Sequence, residues 1–215
     1  MTMTIVVNDN SLRIEQLQLG SFGTSAYILL CRETKESVVV DAPAEADKLI
    51  ARLKDTTPRY ILLTHSHLDH IGALDQLRSE LKIPLAAHAA DSGVLSSPPE
   101  IMLRDGDTVD FGKIQVAVWH TPGHTPGSLC FRTGNYLLSG DTLFPGGPGK
   151  TRTPAEFAQI VKSITEKIFT LDGSTQVYSG HGEPTILKKE KDEFRIFSSR
   201  PHRLDLCGDV LWLTT

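Results

Sequence analysis

The run Thr64-His65-Ser66-His67-Leu68-Asp69-His70 places four metal-capable side chains within six residues. Neutral imidazole and carboxylate are the ligands of Zn²⁺-type ions. The run follows Tyr60-Ile61-Leu62-Leu63, an apolar stretch that reads as a buried strand. On extended chain, residues two apart point the same way, so His65 and His67 can aim at one point. Asp69 and His70 come where the chain turns into a helix, and they can aim at a second point nearby. A lone histidine is more often a surface or core residue than a ligand. Four candidates at this spacing predict two adjacent metals.

Two metals need more ligands than this run holds, and three other places offer them. His120-Thr121-Pro122-Gly123-His124-Thr125 presents His124, Leu138-Ser139-Gly140-Asp141-Thr142 presents Asp141, and Tyr178-Ser179-Gly180-His181-Gly182 presents His181. Each ligand-type side chain follows an apolar segment and a small residue, as expected of loops carried at strand ends on a rigid scaffold. His88 and His120 lack such a context and are expected to be structural.

H-x-H-x-D-H, then T-P-G-H-T, S-G-D-T and S-G-H-G, in this order, resemble the metallo-β-lactamase superfamily. The resemblance implies that His65, His67 and His124 hold one metal. Asp69, His70 and His181 would hold a second, and Asp141 would bridge both. Asp41, in Val38-Val39-Val40-Asp41, matches the strand-end aspartate that supports a ligand histidine, consistent with the usual carboxylate partner of a ligating imidazole. The alternative is that Asp41 caps the helix after it. The stretch Asp141-Thr142-Leu143-Phe144 to Gly149-Lys150 is similar to the glyoxalase II (hydroxyacylglutathione hydrolase) branch, in which Lys150 would contact the anionic thiol carrier. That branch's aromatic residues near the carrier are not matched, and Arg152 and Glu183 stand where tyrosines would be sought. Its C-terminal helical domain has no counterpart here.

Two cations bridged by Asp141 would share a water. A bound divalent ion lowers the pKa of water towards about 7, so a metal-bridging hydroxide would be available at neutral pH. Asp69 would act in catalysis by orienting that nucleophile or receiving its proton. No motif supplies an acid to protonate a leaving amine, whereas a thiol, with a pKa of about 8.5, leaves as thiolate unaided. The expected substrate is therefore a small, anionic thioester, and Lys150 would be its point-charge anchor unless it is simply solvated. Zn²⁺ is the expected metal, and iron or manganese accepts the same donors. Three alternatives remain: a persulfide dioxygenase-like enzyme with one iron, a lactonase with Tyr178 over the metals, and a non-catalytic metal-binding scaffold.

The elements that must position these groups form two strand-rich halves. Residues 11–19, 24–32 and 36–41 read as strands, 44–54 as a helix, 59–63 as a strand, 69–81 as one helix and 84–88 as a short strand. Residues 96–104 read as a surface loop. Strands are expected at 109–111, 114–119, 128–132, 136–138 and 176–178, with a final helix over 184–197. Thr153-Pro154-Ala155-Glu156 is a capping box opening another helix. Two packed sheets with helices outside follow from this order. The resemblance supplies the name of the fold class, an α+β, four-layer αββα sandwich. Residues 1–215 read as one domain, with residues 201–215 as a tail that the sequence does not place.

With 40% hydrophobic residues in 215, the chain needs no covalent staples. Three scattered cysteines do not form a disulfide framework and fit a reducing, cytoplasmic setting. Residues 1–10 do not read as a signal peptide, and no apolar run is long enough to span a membrane. A net charge of −4 argues against a nucleic-acid partner. The basic cluster Lys188-Lys189-Glu190-Lys191 reads as a solvated helix face.

Overall fold

The computed structural model describes residues 2–215. Met1, the first residue of the stretch read as lacking a signal peptide, lies outside them. A seven-stranded sheet takes β1 (Thr2–Asn8), β2 (Leu12–Leu19), β3 (Thr24–Cys31), β4 (Glu36–Val40), β5 (Thr57–Leu62), β6 (Leu85–His88) and β7 (Ile101–Leu103) in chain order. Strands β8 (Thr108–Phe111), β9 (Ile114–His120), β10 (Leu129–Thr133), β11 (Tyr136–Gly140), β14 (Gln176–Ser179) and β15 (Thr185–Ile186) form a second sheet, in the order β15-β14-β11-β10-β9-β8. A small hairpin of β12 (Leu143–Phe144) and β13 (Gly147–Pro148) stands apart.

Both faces of each sheet are covered, which explains the near-continuous apolar runs. Along β4, Val38 and Val40 join the core between the sheets, where Leu29 and Leu62 meet Val116, Val118, Phe131 and Leu138. Val39 points the other way, as period two requires, and packs under the helices α1 (Ala46–Leu53) and α3 (Leu74–Leu81) through Leu49, Leu53 and Leu77. On the outer face of the second sheet, α4 (Pro154–Glu166) and α5 (Leu187–Ser198) bury Ile160, Ile164, Leu187 and Phe197 against Cys130, Leu137 and Val177. The layers run helix, sheet, sheet, helix, as expected. Thr153 caps α4 as read from the sequence, accepting from the Glu156 N–H while the Glu156 carboxylate accepts from the Thr153 N–H.

Strand direction gathers the motifs. β4 and β5 are parallel, so Asp41 and His65 leave their sheet at the same end. β11 and β14 are parallel, and β9 is antiparallel to β10, which is antiparallel to β11. The loops carrying His124, Asp141 and His181 therefore leave the second sheet together. Thr64 O accepts from Leu129 N (2.8 Å) and Gly180 O from Ser25 N (2.8 Å), tying the two sheets at this end.

Several expectations are corrected. The helix over 69–81 is two: α2 (Leu68–Ile71), a single turn, and α3, separated at Gly72. A Cβ at Gly72 would lie 2.4 Å from Pro43 O, so the chain passes too close to the β4–α1 loop for a continuous amphipathic rod. The loop over 96–104 contains β7, parallel to β6. The last helix starts at Leu187, because Thr185–Ile186 pairs with β14. Glu190 is fully buried rather than solvated, accepting from Gly146 N (2.7 Å) and Thr185 Oγ1 (2.6 Å). Residues 201–215 lie against α4, α5 and the β12–β13 hairpin: Trp212 is fully buried beside Phe194 and Phe197, and its backbone N–H donates to Gly146 O (2.8 Å). No helix among the described residues is long and apolar enough to cross a membrane.

Candidate metal centre

The fold brings all seven sequence-predicted ligands into contact. Three overlapping groups have their donor atoms within 4.8 Å of one another: His65, His67 and His124; His65, His70 and Asp141; and Asp69, His70 and His181. In the first, His67 Nδ1 is 3.1 Å from His65 Nε2 and 2.9 Å from His124 Nε2. In the last, His181 Nε2 is 3.2 Å from Asp69 Oδ2. Asp141 lies between them, with Oδ2 3.4 Å from His124 Nε2 and Oδ1 3.4 Å from His70 Nε2.

Hydrogen bonds on the far side of three of the rings set which nitrogen faces the site. His70 Nδ1 donates to Asp41 Oδ2 (2.7 Å), leaving Nε2 as a lone pair. His124 Nδ1 donates to Lys150 O (2.8 Å), with the same result. Thr64 Oγ1 donates to Asp41 Oδ2 (2.7 Å) and so is free to accept from His65 Nδ1 (3.1 Å). Asp41 thus orients His70 directly and His65 through Thr64. It does not cap α1, whose N-cap is Glu45. Asp41 reaches these partners from a left-handed backbone, φ 62°, a conformation costing about 1–3 kcal/mol in most residues and tolerated better by aspartate.

The charge balance asks for a cation. His70 Nε2 and Asp141 Oδ1 are buried, lie 3.4 Å apart and have no hydrogen-bond partner among the described residues. Burial opposes charge on His70, but Asp41 and Asp141 outweigh it and push its pKa up to about 10. Burial and the neighbouring imidazoles hold His65 well below the usual histidine value, and burial and His124 lower His67. Burial would raise the Asp141 carboxyl, yet His70, His65 and His124 pull it far below the usual carboxylate range. Imidazoles held neutral at His65 and His67, a carboxylate held ionised at Asp141, and a pull for positive charge at His70 that a bound cation would answer in place of a proton suit divalent metal ions.

Backbone proximity explains one glycine. A Cβ at Gly180 would stand 2.2 Å from Asp141 Oδ1 and 2.7 Å from His70 Cε1, so the small residue before His181 is needed for the chain to pass the shared carboxylate.

Asp91 was not singled out by sequence reasoning. It is buried, and Oδ2 accepts from Ser66 N (3.0 Å) and Thr125 Oγ1 (2.8 Å) while Oδ1 accepts from Gly127 N (2.7 Å). One carboxylate therefore ties the His65–His67 segment to the loop bearing His124. An aspartate in a polar loop carries no spacing signal; the only hint was the glycine at 127, where a Cβ would lie 2.5 Å from Asp91 Oδ1. His88 and His120 stay outside the cluster and stack on each other, with ring centroids 4.0 Å apart. The Tyr178 hydroxyl donates to Gln176 Oε1 (2.7 Å), with Val6 O 3.2 Å away, and does not supply a tyrosine over the site. Lys150 is exposed and pairs with Asp209 (3.1 Å).

Residues 20–181 match the model of the metallo-beta-lactamase superfamily, and the chain belongs to that superfamily. Among its relatives, a probable metallo-hydrolase, YqgX of Bacillus subtilis, is 32% identical, over 83% of this chain and 94% of that protein. A hydroxyacylglutathione hydrolase, GloC of Haemophilus influenzae, is 29% identical, over 76% of this chain and 88% of that protein. The crystal structure of the B3 metallo-beta-lactamase BLEG-1 superposes with a TM-score of 0.78 at 34% identity, covering 83% of this chain and 96% of that one. ETHE1 from Myxococcus xanthus gives 0.75 at 28%, covering 83% and 81%. TTHA1623, solved in a di-iron-bound form, gives 0.69 at 30%, covering 82% and 96%.

Proposed function

We propose that this chain is a binuclear metallohydrolase acting on a thioester of an anionic thiol carrier. The observation that carries the two-metal reading is the shared carboxylate: each oxygen of Asp141 lies 3.4 Å from a bare imidazole nitrogen of a different ligand group. His65, His67 and His124 would hold one ion and Asp69, His70 and His181 the other, with Asp141 common to both. When bound, such ions supply Lewis acidity and a water that ionises near neutral pH.

The protein's own groups do the rest. Asp41 fixes the tautomers of His70 and, through Thr64, of His65, so that ligands need not reorganise. Asp69 is partly exposed at the mouth of the site, where its Oδ2 accepts from Thr24 Oγ1 (3.1 Å) and retains lone pairs for an incoming water and its proton. Lys150 would meet the carrier's carboxylate, in competition with Asp209. A thiolate departs without a protonated acid, which suits a cleft whose one lysine is already paired. The hydroxyacylglutathione hydrolases among the relatives support this substrate class. Zn²⁺ suits the donor set, and the di-iron form of TTHA1623 supports iron as the alternative.

A persulfide dioxygenase-like reading with one iron, the alternative raised by the sequence, is opposed by the convergence of Asp69, His70 and His181. The two are separated by loading the protein with zinc, iron or manganese, counting metals per chain, and assaying thioester, lactone, lactam and persulfide. Two metals and thioester turnover are expected. One iron with oxidation of the persulfide, or cleavage of the lactam alone, overturns the reading.

A further inference from the structure

A thioester has two arms, and the metal centre has a cleft on either side. One cleft, of about 290 Å³, lies between the β2–β3 turn and α2 and reaches Asp69. Its walls include Leu19, Phe22, Pro43, Ala44 and Leu68. Asp69 is its only ionisable lining residue. Apart from Ser21 at the exposed turn, its other side-chain hydroxyl is that of Thr24, which is committed to Asp69. The opposite cleft, about 200 Å³, contains Phe144, Val210 and Leu211 but also the Lys150–Asp209 pair.

Phe22 and Leu68 are 75% and 81% exposed. Single exposed apolar residues are ordinary. Two large ones lining one cleft that leads to a metal centre are an apolar surface left for a ligand. Leu68 lies inside the ligand run, where sterics alone would allow a polar residue at so exposed a position. The Thr24–Asp69 hydrogen bond joins the turn carrying Phe22 to the site, so an occupant of this cleft is continuous with the reacting carbonyl.

We propose that this cleft is the acyl subsite and that it takes an apolar acyl chain of several carbons in preference to a short hydroxyacyl group. The inference rests on the thioester reading above. The polar carrier goes to the opposite cleft, where charge is available. The apolar chain goes where the walls offer no charge except Asp69 at the metal end. A hydroxyl on a two- or three-carbon acyl group would meet walls whose hydroxyls are Ser21, out at the exposed turn, and Thr24, already committed to Asp69, so hydroxylation gives little advantage here.

The test uses one thiol carrier with lactoyl, butyryl and octanoyl groups, assayed on metal-loaded protein. Each buried methylene can raise kcat/KM by up to about fourfold. Octanoyl is therefore expected to exceed butyryl by at least about tenfold, and lactoyl to be poorest. Phe22→Ala and Leu68→Ala truncate exposed side chains and are expected to fold. Each should lower the octanoyl-to-butyryl ratio, and together they should bring it within about twofold. Phe144→Ala, in the opposite cleft, should lower all three substrates together and leave the ratio intact. Turnover with no chain-length dependence, or a ratio untouched by the double variant, overturns the acyl subsite while leaving the thioester reading in place. No turnover of any thioester overturns both.

Discussion

The two ligand groups are built to different standards of rigidity. His65, His67 and His124 come from two loops laced together by the buried Asp91, and the ring of His124 is pinned to a backbone carbonyl. The side chains of His65 and His124 are only 1% and 7% exposed, and the half-buried His67 contacts both. In the other group, His70 is fully buried and fixed by Asp41, but Asp69 and His181 are 27% and 29% exposed. Asp69 has one hydrogen bond, from the hydroxyl of Thr24 at the start of β3, and His181 has a loosely stacked Phe144 beside it, ring centroids 6.2 Å apart. One side of Asp141 is a preformed socket. The other is half socket and half open mouth, the arrangement a site needs if that side must also admit substrate and water. The open side should release its metal first when a chelator is added.

The largest effect should come from the group common to both sides behind the ligands. Asp41→Asn removes one carboxylate oxygen from a set of three donors: Thr64 N, Thr64 Oγ1 and His70 Nδ1. An amide NH₂ turned to either side meets a donor. Loss of such a supporting partner typically costs 10- to 100-fold in metal affinity. Because Thr64 relays Asp41 to His65, both metals should weaken, as read by metal content after dialysis against a graded chelator. Weakening confined to one metal would break the relay and leave the two sides independent.

Next is Asp69→Ala. On the proposed reading it removes a ligand from the open side only, and with it the group proposed to accept the proton. Turnover should fall by 100-fold or more, about 2.7 kcal/mol in the barrier, while the first metal remains bound at near wild-type affinity. Near-normal turnover with one metal per chain would show that the chemistry belongs to the socket alone.

The contrast between the sides also explains what could be read from sequence. The candidate ligands sit on short motifs at strand ends, and strand periodicity fixes which end; hence the convergence of His65 to His181 was legible together with the sandwich that carries them. Asp41 was legible only because it ends an apolar strand. Asp91 was not, because a carboxylate satisfying backbone N–H groups leaves no pattern of its own. The same holds for Glu190, hidden in a lysine-rich stretch that looks solvated, and for Gly72, whose role is a close approach made by a distant loop. The tail, 201–215, escaped because burial of Trp212 depends on where α4 and α5 lie, which is tertiary information.

Asp91→Asn sharpens the comparison from the socket side. Oδ1 serves Gly127 N and Oδ2 serves Ser66 N and Thr125 Oγ1, so the amide again faces a donor on one side. The expected outcome is a loss of about tenfold in affinity for the metal of the His65–His67–His124 group, with the second metal changed less. A merely structural role would lower the melting temperature of metal-free protein without this selectivity, so the two measurements are made side by side.

The smallest effect concerns Lys150, whose two halves serve different purposes. Its carbonyl oxygen holds His124, which no side-chain substitution removes, whereas its ammonium is exposed and paired with Asp209. Exposed pairs of this kind contribute about 0–1 kcal/mol to stability, so Lys150→Ala should leave folding and metal content essentially unchanged. If the ammonium recognises an anionic carrier, its loss should raise KM a few-fold for acidic thioesters and spare kcat, the signature of a contact equal in ground and transition states. Asp209→Asn then tests the same contact in the opposite direction. Freed from its partner, Lys150 should bind the acidic carrier better and lower KM, with the gain shrinking as salt screens it. If KM moves the same way in both variants, the pair acts as a strut between the 144–149 loop and the tail, and recognition of the carrier must come from elsewhere in that cleft.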